Sequence, residues 1–206
     1  GDVARKGVSP RTIRRKIATL RAFYRFLMRH HGLKSSPASM LTLPKTPKPI
    51  PVYVRQSETQ SILDMPVPAD DFVSVRDRLV LDIFYTTGLR CSELMALRDV
   101  DVDTVHGELK VVGKRNKERV VPFGRELAAS IDAYRRLRDS SPSTSVPPSE
   151  PSAPLLVRED GRPLYRKMVY NIVHARLTEG GAHAERLSPH VMRHSCATDM
   201  LNAGAP

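Results

Sequence analysis

The 206-residue chain has no tryptophan, two cysteines and only 5% aromatic residues. The missing tryptophan excludes little, because 40% apolar residues still suffice for a core. Two cysteines exclude a disulfide framework of the kind that staples small secreted domains. Cys91 and Cys196 each fall inside an apolar periodic segment and read as buried thiols of a reducing compartment. Cys91 follows Arg90 and so has the alternative of an activated thiolate, although a small core residue suits its surroundings better. No apolar run is long enough to cross a bilayer. There is no internal repeat and no glycine-rich phosphate loop. Acid is scarce where base is dense: residues 1–34 hold ten Lys/Arg against the single acid Asp2. The net charge of +11 points to a polyanionic partner, most simply nucleic acid.

What is present reads as helices in two groups. Ser9 and Pro10 start a helix that runs to about His31, with Gly32 as its stop. Ile13, Ile17, Leu20, Tyr24 and Leu27 form its apolar seam, and Arg11, Arg14, Arg21, Arg25 and Arg29 lie away from it. Without acidic partners those arginines gain little from pairing along the helix and suit phosphates better. Residues 35–52 contain five prolines and predict an extended linker. Beyond it, Arg55 to Met65 and Ser74 to Thr87 read as helices, and Gly88 ends the second. Glu93 then falls in the first turn of another helix, and Arg90 at its start is expected hard against the core.

Glu108 to Gly113 and Arg119 to Phe123 alternate as strands of a hairpin with a cationic tip. Arg125 to Asp139 is amphipathic through Leu127, Ile131, Tyr134 and Leu137. Residues 140–153 are low-complexity and predict a mobile insertion. Leu155 to Val157 fits a short strand, and Tyr165 to Glu179 fits a helix stopped by Gly180 and Gly181.

The last segment carries the most unusual residues. Ser188 can cap a helix that starts at Pro189 and stops at Gly204, with Met192, Cys196 and Met200 as an apolar stripe. His190, Arg193 and His194 share the opposite face within one turn. A guanidinium, imidazoles and a helix N-terminus together suit a phosphate. The histidine pair imitates a zinc helix, but Val191 stands where that motif needs Glu, and Arg193 repels a cation.

Three segments together resemble the tyrosine recombinase (phage integrase) family, nearest its Xer branch. Thr87-Gly88-Leu89-Arg90-Cys91-Ser92-Glu93-Leu94 is similar to the family's first arginine motif. Val112-Gly113-Lys114-Arg115-Asn116-Lys117-Glu118-Arg119 is similar to its lysine hairpin. Leu187-Ser188-Pro189-His190-Val191-Met192-Arg193-His194-Ser195 is similar to its His-x-x-Arg box. They occur in the family's order, with 24 residues from Arg90 to Lys114 and 76 from Lys114 to His190.

The resemblance implies a mainly α fold with a small β-sheet or hairpin (α+β), a catalytic domain preceded by the last helix of a helical core-binding domain. On that reading, residues 1–34 end the core-binding domain, 35–54 link, and 55–206 form the catalytic domain, incomplete and with the insertion at 140–153. It implies catalytic roles for Arg90, Lys114, His190 and Arg193, with Glu93 and His194 behind them. It implies DNA contacts from Arg11, Arg14, Arg15, Arg21, Arg25, Arg115, Lys117 and Arg119. The nucleophilic tyrosine is expected outside this chain, since none of the six tyrosines sits in a matching motif. No cofactor or metal is expected. Double-stranded DNA and further recombinase protomers, a tetramer on DNA, are the implied partners, and the chain alone is expected to be monomeric. A cytoplasmic, nucleoid-associated location follows. The competing readings are a DNA-binding regulator without chemistry and a type IB topoisomerase-like enzyme, against which the linker between two domains argues.

Overall fold

The computed structural model describes residues 8–45, 54–113, 116–144, 152–183 and 187–204. The chain divides into two compact units, residues 1–50 and 51–206.

The first unit is built on helix α1, Pro10–His30. Ser9 Oγ accepts the Thr12 N–H at 3.3 Å, and Pro10 needs no partner for an N–H it lacks. The expected seam is only partly covered. Ile17 is buried and Ile13, Tyr24 and Leu27 are half-buried, while Leu20 is exposed. The segment after α1 was expected to be an extended linker, but its first part folds back. A 3₁₀ turn, Pro37–Met40, buries Ala38, and Arg21 donates to the carbonyls of Ala38 at 3.3 Å and Leu41 at 2.8 Å. Arg21 thus adds a second donor to the Ala38 carbonyl, which the Leu41 N–H also reaches at 3.4 Å, and ties the turn to α1. The rest of that segment, 46–53, lies outside the described residues.

The second unit is organised around α3, Phe72–Thr87. Its N-cap Asp71 accepts from the N–H groups of Val73 and Ser74, at 3.3 and 3.1 Å. Leu79, Val80, Ile83 and Phe84 are buried along it, each such side chain contributing about 1.5–3 kcal/mol. Helix α2, Gln56–Leu63, precedes it, and the one-turn α4, Cys91–Met95, follows. An antiparallel sheet comes next: β1 Val102–Asp103, β2 Glu108–Val112 and β3 Glu118–Pro122, in that order. The two-residue β1 carries too little alternation to be read from sequence. Three helices complete the unit: α5 Arg125–Asp139, α6 Arg166–Glu179 and α7 Pro189–Asn202. Helix α3 packs against α5, α6 and α7, which makes it the core of the domain.

Several expectations shift. Residues 155–157 form no continuous strand; isolated bridges Arg98–Pro154, just before them, and Val157–Pro163, at their end, stand there instead. Met200 is exposed, because the buried face of α7 runs through Val191, Met192, Ser195 and Cys196. Ser188 makes no capping side-chain bond and is itself buried. On α5 the buried residue next to the half-buried Leu137 is Arg138, only 1% exposed. Its guanidinium is met by Asp99 at 2.9 Å, by Asp139 and by the Leu155 carbonyl at 3.1 Å, which makes its burial tolerable. The predicted insertion is pinned at both ends. Thr144 Oγ1 donates to the Arg138 carbonyl at 2.6 Å, and the Ala153 carbonyl accepts from Asp99 N–H at 3.0 Å. Its middle, 145–151, lies outside the described residues.

Candidate active site

The turn from α3 to α4 places Arg90. Gly88 ends α3 at φ +58°, a left-handed conformation that favours glycine. A Cβ there would also stand 3.4 Å from Cys196 Sγ on α7. Arg193, a turn earlier on α7, donates from Nη1 to the Gly88 carbonyl. The helix that bears Arg193 and the turn that bears Arg90 are thus joined by Arg193 itself. Leu89 and Cys91 are buried on either side of Arg90. Arg90 was expected against the core, yet its side chain is 54% exposed, because only its neighbours point inward.

Glu93 organises what surrounds it. Its side chain is 4% exposed and reaches back one turn, where Oε2 accepts the Arg90 N–H and Oε1 accepts Arg90 Nη1, both at 2.9 Å. Arg119 of β3 closes on the same carboxylate with a two-pronged bond, Nη1 to Oε1 at 3.0 Å and Nη2 to Oε2 at 2.8 Å. Burial pushes this carboxyl up, but the bonds from Arg119 and then Arg90 outweigh it and hold it at about 2. Two guanidinia on one carboxylate leave the trio with a net positive charge. A groove lined by Arg90, Ser92, Glu93, Val112 and Gly113 opens beside it.

The other expected residues are placed as follows. His190 and His194 are exposed on α7, flanking the half-buried Arg193. Lys114 and Arg115 lie outside the described residues, between Gly113 and Asn116. Of the cations expected to contact DNA, Arg11, Arg15, Arg25 and Lys117 are exposed. Arg14, also exposed, reaches the Pro44 carbonyl at 3.5 Å. Arg21 and Arg119 are engaged within the protein. For Arg119 the signal lay in the strand: Arg119 alternates with Val121 on the inward side, so its guanidinium had to find an internal partner.

Burial governs the titration of the two thiols and of Tyr85 and Tyr134. Burial raises Cys91 and Cys196, which removes the activated-thiolate alternative for Cys91. Burial, and then its 2.9 Å bond to Asp199, pushes Tyr85 up to about 12. Burial does the same to Tyr134, also about 12. Arg90 and His190 are exposed and Arg193 is half-buried, and none of these four thiols and phenols is activated.

Residues 53–206 match the family described as the phage integrase family. The chain belongs to the phage integrase family. Residues 2–31 match that family's N-terminal SAM-like domain, which takes in α1. Among curated relatives, the chain is 36% identical to tyrosine recombinase XerC of Chlorobaculum parvum, over all of this chain and 65% of that protein. It is 34% identical to tyrosine recombinase XerD of Xanthomonas campestris pv. campestris, over 96% of this chain and 61% of that one. The chain thus spans less than two thirds of these relatives' length. Among solved structures, the fold is that of the Tn1549 transposon integrase in complex with transposon right end DNA, at TM-score 0.81 and 20% identity. That alignment covers 98% of this chain and 70% of the integrase. The XerA recombinase aligns at TM-score 0.64 and 23% identity, over 98% of this chain and 65% of that one. The integrase match takes in Arg90, Glu93, Lys114, His190 and Arg193 alike.

Proposed function

We propose that this chain is the phosphate-clamping part of a site-specific DNA recombinase that cuts and rejoins strands through a 3′-phosphotyrosine. The observation that carries this is the joining of Arg90 and Arg193 at one turn, through Gly88, with Glu93 fixing Arg90. Phosphoryl transfer asks for positioning and charge neutralisation more than for covalent chemistry. Arg90 and Arg193 clamp the non-bridging oxygens, a planar task at which Lys is poor. A tyrosine oxygen attacks phosphorus, the bond to the 5′-oxygen breaks, and Lys114 gives that oxygen its proton. His190 assists proton transfer at the tyrosine, with His194 behind it. The covalent intermediate keeps the bond energy, so religation needs no nucleotide.

The tyrosine comes from the part of the relatives' length that this chain does not span. Residues 1–34 serve as the end of a core-binding domain, 35–54 as its connector and 55–206 as the catalytic part. Double-stranded DNA is the substrate, other protomers complete a tetramer on it, and the protein works in the cytoplasm on the nucleoid. The relatives support the reading: XerC and XerD are tyrosine recombinases, and the transposon integrase was solved in complex with DNA. The test is a nicked half-site that traps covalent complexes, given to the full-length protein. A protein–DNA adduct at a tyrosine is expected. DNA binding with no adduct would make the protein a regulator instead.

A further inference from the structure

Glu93 serves two arginines at once, and it serves them unequally. Its Oε1 accepts Arg90 Nη1 at 2.9 Å and Arg119 Nη1 at 3.0 Å. Its Oε2 accepts the Arg90 backbone N–H at 2.9 Å and Arg119 Nη2 at 2.8 Å. Arg119 thus lays its planar fork across both oxygens, whereas the Arg90 guanidinium is held by one nitrogen. Among the described residues no hydrogen bond takes up Arg90 Nε or Nη2, and its half-exposed side chain lines the groove beside Glu93. The sheet delivers Arg119 to this place: it pairs with buried Val111, while its neighbours Glu118 and Val120 are exposed. A Cβ on Gly113 would stand 3.3 Å from Arg119 Nη1, so the glycine leaves the fork its seat.

This division decides what Arg90 can do. A buried carboxylate left with a single guanidinium favours a two-pronged pairing with it, and such a pair is neutral. Here Arg119 fills the paired edge, and the second positive charge is left over. We propose that Arg119 is a positioning residue for Arg90. By saturating Glu93 it keeps Arg90 on a single tether, with its remaining donors and its charge available to the non-bridging oxygens of the scissile phosphate. The inference rests on the strand-cleavage reading above, with Arg90 as part of the clamp. A lysine at 119 keeps the charge but not the planar fork, so it leaves one oxygen of Glu93 open to Arg90.

The experiment uses the full-length protein and two nicked half-sites, one ordinary and one with a methylphosphonate at the scissile position. There a methyl group replaces one non-bridging oxygen, and the neutral group has no charge for a guanidinium to offset. Arg119→Gln should slow adduct formation on the ordinary site by on the order of 10²-fold, the loss that follows from about 1 Å of misplacement. Relative to wild type, most of that loss should vanish on the methylphosphonate site. Arg90→Ala should show the same contrast, and Arg90→Ala with Arg119→Gln should be no slower than Arg90→Ala alone. Arg119→Lys should remain slow on the ordinary site, and DNA affinity should stay constant throughout. Equal slowing on both sites, additive losses in the double variant, recovery by Arg119→Lys, or a loss of affinity that matches the loss of rate would overturn the proposal. If Arg119→Gln does not fold, Arg119→Lys carries the same comparisons. A wild type that forms no adduct on either site would sink the cleavage reading, and this proposal with it.

Discussion

At the scale of single residues, Glu93 makes the site's electrostatics testable without DNA. Its pKa in the folded protein is about 2 against an ordinary 4.5. A depressed carboxyl stabilises the fold fully above its unfolded value and loses that contribution as pH falls through the folded value. Wild type should therefore exceed Glu93→Gln in urea stability at neutral pH. The two should converge between about pH 4.5 and about pH 2, and a gap that stayed constant there would refute the ionised pairing. The arginines separate by a different measurement. Arg90→Ala and Arg193→Ala should each lower cleavage by the full-length protein by roughly 10²–10³ while leaving DNA binding nearly intact. Arg193 also holds the Gly88 carbonyl, so its removal should cost about 1 kcal/mol of stability, whereas the exposed Arg90 should cost less. Thermal melts of the two variants distinguish the roles.

At the scale of elements, helix α1 divides its arginines between solvent and fold. Arg11, Arg15 and Arg25 are exposed, and Arg21 binds the carbonyls of Ala38 and Leu41. Replacing the exposed three by Gln should weaken binding to any duplex and flatten its salt dependence, by about 0.9 in log–log slope for each phosphate no longer neutralised. Arg21→Gln should leave that slope unchanged and instead raise amide exchange across residues 36–41. An equal slope change from Arg21→Gln would show that it too meets DNA. The distinction could not be read from the helix alone. Period and caps locate α1, since Ser9, Pro10 and the seam residues are all local signals. Which arginine turns inward depends on carbonyls ten or more residues later. The same holds for Arg138, whose burial needs Asp99 and Leu155, and for β1, which exists only because β2 offers it an edge.

At the scale of the whole molecule, the sequence told more about chemistry than about placement. Arg90, Lys114, His190 and Arg193 stood out as candidates because they fall in three ordered motifs that resemble those of the phage integrase family, and the chain's membership of that family is what the comparisons show. The Arg119–Glu93 bridge did not stand out, since it joins residues 26 apart in sequence on a strand and a helix. The exposure of Arg90 was missed for a related reason: flanking Leu89 and Cys91 are buried, and a sequence cannot say which side of a single turn faces out. The same limit applies to the attacking group, and there the structure sharpens the expectation. Tyr85 and Tyr134 are pushed to about 12, so at neutral pH each is a poorer nucleophile than a free phenol. The Tyr85 hydroxyl donates its hydrogen bond to Asp199, and Tyr134 is fully buried with its oxygen accepting the Val157 N–H. Exposed Tyr165 lies against the Arg158 guanidinium, 5.9 Å from ring centre to its carbon. Residues 1–206 alone, incubated with the trapping half-site, should therefore bind it and form no covalent complex, while the full-length protein forms one. Digestion and mass spectrometry of the full-length adduct should place the phosphate on a tyrosine outside this segment. If the 206-residue chain itself becomes linked to DNA, the modified tyrosine is one of its own six, and the division between clamp and nucleophile proposed for this protein is wrong.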